Sequence, residues 1–229
     1  MDTKIIVSYD DTIYDVDALA LGRALAQAGA SLALAFVRHA VEDRHESEEV
    51  QRHHAAALLA HGADWLGDPG TERHIVLNRS TGAGLAELAE RERASVIVFG
   101  ADYRTAPGLV QPGTTASRLM NGGRTAVALA PAGFRSLPQG AISRIAIADG
   151  DDDPAARETA ASLAARLGAS VTATPGPGSL LIVGSRREAP AGRVLVSATN
   201  EYAIETATFP VLVVPRGVPV SFGTPALVA

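Results

Sequence analysis

A loop between residues 100 and 115 carries the groups best suited to binding an anion. It contains Gly100, Gly108 and Gly113, and it ends at Thr114-Thr115, where a helix is expected to begin. Threonine is a common cap of helix N-termini, where unpaired backbone N–H groups and the positive end of the helix dipole attract negative charge. The pattern therefore predicts a site for a phosphate or another anion, although an ordinary strand–loop–helix turn that binds nothing has the same pattern.

The flanking elements place this loop at the carboxyl end of a parallel sheet. Val96–Phe99 is an apolar run rich in β-branched residues, which is typical of a strand buried on both faces. Strands and helices alternate with short loops, which predicts a doubly wound parallel α/β fold that binds ligands at this end. The predicted strands are Lys4–Tyr9, Ser31–Val37, Arg73–Leu77, Val96–Phe99 and Thr125–Leu129, and the predicted helices are Asp15–Ala28, Glu46–His61, Gly84–Arg93 and Ala116–Met120.

The loop resembles the nucleotide motif of the universal stress protein family. That motif is glycine, two residues, glycine, nine residues, glycine, then serine or threonine, and here Gly100, Tyr103, Gly113 and Thr114 hold these positions. Tyr103 departs from the second glycine of the motif, and tyrosine does not readily give the positive φ or the close backbone approach that glycine permits. The resemblance covers Lys4–Gly133 and implies a five-stranded sheet of order 3-2-1-4-5, as in the adenine nucleotide alpha-hydrolase-like fold.

The resemblance also implies which residues bind the nucleotide. Asp10 matches an aspartate that contacts the adenine or ribose end, and Val37 matches a position whose backbone meets adenine. Taken alone, Asp10 and Asp11 also suit a turn, Val37 suits the core, and Arg104 suits either a phosphate contact or a solvated loop. The expected nucleotide-binding residues are Asp10, Asp11, Val37, Gly100, Asp102, Tyr103, Arg104, Gly113, Thr114 and Thr115.

The sequence after residue 140 restarts the same pattern. Ile145–Ala148 resembles Ile6–Tyr9, and Ser179–Gly184 resembles Ser95–Gly100. The offset between matching positions is 139 at the first strand and 84 at the fourth, so about 55 residues are missing from the second copy. The implied domains are a complete unit at 1–133, a linker at 134–140, a truncated unit at 141–217 and a tail at 218–229. A regular strand at Ser170–Thr174 fits this path only if it is very short.

The second copy is expected to lack a working site. Its counterparts of the motif residues are Asp149, Gly184, Arg186, Arg187 and Ser197, so neither later glycine is kept. In the resembled family the fifth strands pair antiparallel between subunits. The same contact within this chain would join Thr125–Leu129 to Val211–Val214 about a pseudo-twofold axis, because an open apolar edge strand is prone to aggregation.

Composition narrows the function further. The chain has 229 residues, a net charge of −5 and no cysteine, which excludes disulfides, thiolate catalysis and zinc held by cysteine. Lys4 is the sole lysine, so a lysine-bearing P-loop is excluded. No basic stripe, signal-peptide pattern or membrane-length apolar run is evident, so we expect a cytoplasmic protein with no nucleic-acid or membrane partner.

Three other patterns are weaker candidates for sites. His53, His54 and His61 lie on one predicted helix, but at their spacing they cannot share one metal ion without other ligands, which favours a solvated helix face. Gly82-Ala83-Gly84 lacks the third glycine of a dinucleotide fingerprint and suits a helix start after Ser80 and Thr81. No Gly-x-Ser-x-Gly elbow occurs. We therefore expect no catalytic or metal-binding residues.

The function implied by the resemblance is that of a universal stress protein. Such a protein would bind ATP or AMP in its first repeat and act as a sensor or regulator in the stress response. Any Mg²⁺ would be held through the phosphates, and no dedicated catalysis is expected, although weak nucleotide hydrolysis is compatible with the site. The alternative, which Tyr103 favours, is a scaffold that binds no nucleotide and acts by protein association. A homodimer is compatible with either function.

Overall fold

Strands and helices alternate along both halves of the chain. The computed structural model describes residues 3–39, 48–136, 142–148 and 153–223, so Asp149, residues 137–140 of the predicted linker and residues 224–229 of the predicted tail lie outside the described residues. The first half contains β1 (Lys4–Ser8), α1 (Asp15–Ala26), β2 (Ser31–Arg38), α2 (Glu48–Leu66), β3 (Glu72–Leu77), α3 (Thr81–Glu92), β4 (Val96–Phe99), α4 (Thr114–Met120) and β5 (Ala126–Leu129). The second half contains β6 (Arg144–Ile147), α5 (Pro154–Leu167), β7 (Ser170–Thr172), β8 (Ser179–Val183), α6 (Ala198–Glu205) and β9 (Val211–Val213). Among the described residues, no helix is long and apolar enough to cross a membrane.

All of these strands belong to one sheet of nine, in the order β3-β2-β1-β4-β5-β9-β8-β6-β7. The first five strands follow the predicted order 3-2-1-4-5, and every neighbouring pair is parallel except β5 and β9. These two pair antiparallel, with Val127 opposite Val213 and Leu129 opposite Val211. The predicted contact between the fifth strands is therefore present, and it begins directly after Pro210, which has no N–H to donate.

The sheet is covered on both faces, as the unbroken apolar strands require. Alternate residues of each strand point to opposite faces. Ile5 and Val7 pack on one face with α1, α2 and α5, and Ile6 packs on the other with α3 and α4. Val96–Phe99 is buried at every position, as the apolar run predicted. The fold is the predicted doubly wound α/β architecture.

Among its described residues, the second half has no counterparts of α2, β3 and α3. The strand β7 has three residues and is parallel to β6, and both Ser170 and Ser179 lie opposite Arg144. The six residues between β7 and β8 therefore bring the chain back to the same level of the sheet. This settles the path that the sequence left open, because β7 is very short and parallel.

The four predicted helices all differ somewhat from their predicted bounds. Helix α1 ends at Ala26, and α3 begins at Thr81, directly after its N-cap Ser80, and not at Gly84. Helix α2 was predicted to end at His61, before Gly62, but it continues to Leu66. Gly62 is buried, and a Cβ there would lie 3.0 Å from atoms of both Tyr9 and Leu34, so this glycine permits close packing and does not end the helix. The predicted threonine cap of α4 is also wrong. Gly113 is the N-cap residue, and as a glycine it has no side chain that could cap the helix.

The segment after β5 packs against α1. Phe134–Ser136 forms a short 3-10 helix, and Phe134 is buried. The fully buried carboxylate of Asp17 accepts hydrogen bonds from the Gly133 and Arg135 N–H groups, each at 2.8 Å, and from the Arg135 side chain at 3.2 Å. Three donors thus compensate a buried charge and hold the start of the predicted linker against the core.

Candidate functional site

Two adjoining cavities form one cleft at the carboxyl ends of β1, β2 and β4. The β4 cavity, of about 170 Å³, lies between the end of β4 and the start of α4. The β2 cavity, of about 410 Å³, lies between the end of β2 and helix α2. Asp10 and Thr81 line both cavities, so a ligand can extend from one into the other. Seven of the ten predicted nucleotide-binding residues line the cleft, namely Asp10, Val37, Gly100, Asp102, Gly113, Thr114 and Thr115.

The β4 cavity is bordered by backbone N–H groups at the start of α4. Gly113, Thr114 and Thr115 all line it, together with Ala116. The first N–H groups of a helix have no acceptor within the helix, and the N-cap residue Gly113 has no side chain to cap α4. As far as the described residues show, these donors are therefore available to a ligand. Their partial positive charge suits an anionic group.

Gly100 and Gly113 serve different purposes. A Cβ on Gly100 would overlap the carbonyl oxygen of Tyr14, so glycine is needed for the end of β4 to pack against the start of α1. A Cβ on Gly113 would meet only the Asp102 carboxylate, at 3.8 Å. Gly113 therefore keeps space free beside the helix start, whereas Gly100 is required by the fold itself.

Asp10 lies at the junction of the two cavities. Burial by the surrounding protein atoms, followed by the negative charge of Asp15, raises the pKa of Asp10 to about 6, although His39 acts in the opposite direction. Part of the Asp10 side chain is nevertheless exposed in the cleft, where a ligand can reach it. Its carboxylate can accept hydrogen bonds from hydroxyl or amino groups.

Asp15 shapes the turn that presents Asp10. Its Oδ2 accepts hydrogen bonds from the N–H groups of Asp10 (2.8 Å) and Thr12 (2.9 Å). Burial raises the pKa of Asp15, while these hydrogen bonds oppose the rise. Asp15 also lines the β4 cavity, a role that the sequence did not reveal because an acidic residue in the first turn of a helix is common.

The β2 cavity combines an apolar floor with a polar rim. Val37 is almost completely buried, and it lines the cavity together with Leu58 of α2. His39 Nδ1 lies 3.3 Å from the Arg79 carbonyl oxygen, and Nε2 lies 3.2 Å from the Thr81 hydroxyl. A carbonyl only accepts, so Nδ1 carries the proton in the neutral ring and Nε2 accepts from Thr81. His39 thereby orients Thr81, which sequence reasoning treated only as part of a helix start.

The other three predicted residues lie outside the two cavities. Asp11 has a positive φ of 58° and its carboxylate accepts from the Tyr9 hydroxyl at 2.7 Å, with His61 Nδ1 at 3.2 Å. Tyr103 is 63% exposed, and the guanidinium of Arg104 lies 4.8 Å from the centre of its ring. Tyr103 is not among the described residues with positive φ, so its backbone does not need glycine at this position. Its ring does not occupy the β4 cavity.

Both halves of the chain anchor the loop that bears these residues. Asp102 Oδ1 accepts from the Arg104 N–H at 3.0 Å, and the Tyr14 hydroxyl donates to the Thr105 carbonyl at 3.0 Å. Further along, the Val110 N–H donates to the Ala207 carbonyl of the second half at 3.0 Å. The second half therefore supports the wall of the cleft without lining it.

The corresponding turn of the second half is organised differently. Gly184 is buried, whereas Arg186 and Arg187 are exposed. The Ser197 hydroxyl accepts from the Asn200 N–H at 3.2 Å and so caps α6. Asp149, the remaining counterpart, lies outside the described residues.

A separate acidic group surrounds Lys4 at the opposite end of the sheet. Lys4 Nζ lies 2.7 Å from Glu72 and 2.9 Å from Glu92, and His74 lies 3.1 Å from Glu72. Burial lowers the pKa of Lys4, but the two carboxylates outweigh it and the net pKa is raised. The three possible ligands Glu72, His74 and Glu92 are close enough to share an ion, but the ammonium group already provides their positive charge.

Three solved structures share this fold over nearly the whole chain. A universal stress protein from Archaeoglobus fulgidus DSM 4304 is 14% identical, with a TM-score of 0.68 over 93% of this chain and 98% of that one. A putative universal stress protein from Pseudomonas aeruginosa UCBPP-PA14 is 12% identical, with a TM-score of 0.60 over 94% of each chain. A functionally unknown protein, PA1789, from Pseudomonas aeruginosa PAO1 is also 12% identical, with a TM-score of 0.59 over 94% of this chain and 93% of that one.

These similarities show that the chain has the fold of universal stress proteins. This is the fold that the resemblance of its glycine motif implied. No protein-family model matches the sequence, and neither does any curated protein.

Proposed function

We propose that this protein binds an adenine nucleotide, ATP or AMP, in the cleft of its first half, and acts in the cytoplasm as a sensor or regulator in the stress response. The observation that carries the proposal is the continuity of the two cavities through Asp10 and Thr81. One cavity offers backbone donors, and the other offers an apolar floor. A nucleotide has the same division between an anionic end and a flat, largely apolar base.

The residues of the cleft fit the parts of a nucleotide in order. The phosphates would lie in the β4 cavity, against the N–H groups that follow Gly113. The ribose would lie at the junction, where the Asp10 carboxylate can accept from its hydroxyls. The base would enter the β2 cavity above Val37 and beside Leu58. Together the cavities are within the range of about 300–1,000 Å³ that small-molecule sites occupy.

Three carboxylates line the β4 cavity, those of Asp10, Asp15 and Asp102. Of these, Asp102 is the one whose oxygen lies 3.8 Å from a Cβ built on Gly113, the N-cap of α4. Mg²⁺ prefers oxygen ligands and is often held by substrate phosphates and one or two carboxylates. We therefore propose that any Mg²⁺ arrives with the nucleotide and is held mainly through the phosphates. Asp102 is the side chain best placed to approach it.

We propose binding without dedicated catalysis. Activation of a water or a hydroxyl needs a base oriented by a second group within hydrogen-bond reach. Asp10 has a raised pKa, but it lies at the junction of the cavities, where the proposal places the ribose. The competing proposal of a scaffold that binds no nucleotide depended on Tyr103, whose exposed ring leaves the β4 cavity open.

The proposal is tested by identifying what the purified protein carries and binds. Denatured protein should release an adenine nucleotide detectable by mass spectrometry, and ligand-free protein should bind ATP or AMP in titration calorimetry. The variant Thr81→Trp, which fills the junction, should lose this binding, whereas Arg52→Trp on an exposed part of α2 should keep it. Absence of adenine nucleotide from the protein, together with no heat of binding at millimolar ligand, would refute the proposal.

A further inference from the structure

A third cavity, which we call the α3–α4 groove, lies on the outer surface between these two helices. It has a volume of about 680 Å³ and shares no lining residue with the β2 and β4 cavities. The groove extends from Ser80 at the start of α3 to Arg93 and Thr125, and it also reaches Arg193 of the second half. The proposed nucleotide cleft does not account for it.

The floor of the groove is apolar because small side chains line the facing sides of the two helices. Ala83 and Ala86 lie one turn apart on α3, Ile97 of β4 lies beneath, and Leu119 comes from α4. Alanine side chains leave a shallow trough where larger residues would close the space between the helices. Such a trough can accommodate an unbranched apolar chain.

Positive charge gathers at one end of this trough. Arg93 follows the last turn of α3, Arg118 lies in the last turn of α4, and Arg124 precedes β5. Arg193 joins them, because its Nη1 donates to the Gly122 carbonyl at 2.8 Å. Both helices run opposite to the strands, so this end lies at the amino edge of the sheet, away from the nucleotide cleft.

The arginines of the groove are available to a ligand. Within the described part of the chain, none of the four forms an ion pair. Two carboxylates, Glu87 and Glu90, also border the groove. The Glu87 carboxylate accepts a hydrogen bond from the Asn78 side-chain amide at 3.2 Å. Because four arginines and two carboxylates border the groove, its arginine end is locally positive. The net charge of the whole chain, by contrast, is −5.

We infer that the α3–α4 groove binds a small amphipathic anion, with its head group on the arginines and its apolar chain along the alanine trough. Guanidinium groups bind carboxylate and phosphate oxygens through paired hydrogen bonds. The volume lies within the range of small-molecule sites. The shared chemistry is an anionic head on an apolar tail, and either a carboxylate or a phosphate satisfies it.

The test uses the full chain and four probes, with the two charged amphiphiles kept below their micelle concentrations and decanol below its solubility limit. Decanoate and decyl phosphate carry both features, decanol lacks the charge, and acetate lacks the tail. In titration calorimetry we expect saturable binding of decanoate, decyl phosphate or both, and which of them binds identifies the head group. Decanol and acetate should bind at least about tenfold more weakly. Equal binding of decanol, equal binding of acetate, or no binding by either amphiphile would overturn the inference.

Variants locate the site. Arg118→Ala combined with Arg124→Ala should weaken amphiphile binding by roughly tenfold or more, and Ala86→Phe should block the trough. Arg52→Ala, a matched loss of an exposed arginine on α2, should have no effect. All three should retain the parent's affinity for nucleotide, which separates this inference from the proposed function. Parent-like amphiphile binding by Ala86→Phe, or by the double arginine variant, would show that the groove is not the site.

Discussion

The helix after β4 in the first half and the helix after β8 in the second half begin in nearly the same backbone geometry, but they are capped differently. Gly113, before α4, has φ −68° and ψ 168°, and Ser197, before α6, has φ −81° and ψ 157°. Ser197 satisfies one helix donor with its own hydroxyl, whereas Gly113 leaves the donors of α4 without a side-chain partner. The half that borders the cleft therefore keeps its backbone donors available, and the other half uses its side chain for its own stability.

The loops before these helices also differ in what they hold. In the second half, the buried Ser185 hydroxyl donates to the Val214 carbonyl at 2.8 Å and accepts from the Leu195 N–H at 3.2 Å. The same loop reaches the first half, where the Val194 N–H donates to the Gly123 carbonyl at 2.8 Å. Its polar groups support the sheet and the contact between the halves. In the second half, this loop therefore serves the packing of the sheet and the contact with the first half.

The largest expected effect comes from breaking the strand pair that joins the halves. Leu212 is fully buried and lies opposite Ala128 in the β5–β9 pair. In Leu212→Asp, a carboxylate would be buried without a partner, which should lower the free energy of unfolding by about 3 kcal/mol or more. We expect a large fall in melting temperature, with expansion or aggregation in size-exclusion chromatography. Val171→Asp, on the exposed edge strand of the same half, should be nearly neutral. Parent-like compactness and melting of Leu212→Asp would refute this account of the contact.

The next effect distinguishes the two helix starts directly. In Gly113→Val, a β-branched side chain beside the donors of α4 should abolish nucleotide binding while the fold persists, because the nearest atom to its Cβ would be an Asp102 oxygen at 3.8 Å. Titration calorimetry with ATP and AMP checks the loss, and circular dichroism checks the fold. The matched change in the second half, Ser197→Val, should leave nucleotide binding intact. Full binding by Gly113→Val would place the phosphates elsewhere.

The number of nucleotides bound per chain is a further measure of the difference between the two halves. We expect one nucleotide per chain, because only the first of the two helix starts leaves its donors uncapped. Native mass spectrometry and calorimetry with saturating ATP report the ratio. A ratio of two, or ligand density beside Gly184, would show that the second turn also binds.

The sequence predicted the strands and their order well and the site less completely, because a strand has a local sequence pattern whereas a site depends on tertiary packing. Apolar runs such as Val96–Phe99 identify buried strands locally. The β5–β9 contact was implied by the resemblance to a family whose fifth strands pair between subunits, and the structure contains this contact. The length of α2 was wrong because the packing of Gly62 against Tyr9 is tertiary information. The sequence also did not predict that Thr81 of α3 lines the cleft, because this position depends on how α3 packs beside β1 and β4 in the folded protein.

A smaller effect concerns the charge at the cleft junction. The pKa of Asp10 is raised from 3.8 to about 6 in the folded protein, chiefly by burial and then by Asp15. The folded state therefore binds a proton more tightly than the unfolded chain, and the contribution of Asp10 to stability falls as pH rises between these two values. Asp10→Asn should raise the melting temperature at pH about 7.5 and lose that advantage at pH about 4. The gain should be modest, because the side chain is partly exposed and screened.

Asp64→Asn, on an exposed part of α2, provides the matched control for Asp10→Asn. It should change melting little at either pH. A pH-independent difference between Asp10→Asn and the parent would contradict the raised pKa.

The smallest effect comes from exchanging the caps themselves. Gly113→Ser gives α4 the residue that caps α6, in a backbone geometry that already matches. Its hydroxyl should accept from the Ala116 N–H, as Ser197 accepts from Asn200, and should stabilise the helix by a few tenths of a kcal/mol. The same bond withdraws a donor from the β4 cavity, so nucleotide affinity should fall by roughly two- to threefold. Gly113→Ala adds a Cβ without a hydroxyl and separates steric loss from donor competition, while Ser197→Gly should destabilise the fold slightly and leave affinity unchanged. Tighter nucleotide binding by Gly113→Ser than by Gly113→Ala would mean that the free donors of α4 are not what the phosphates use.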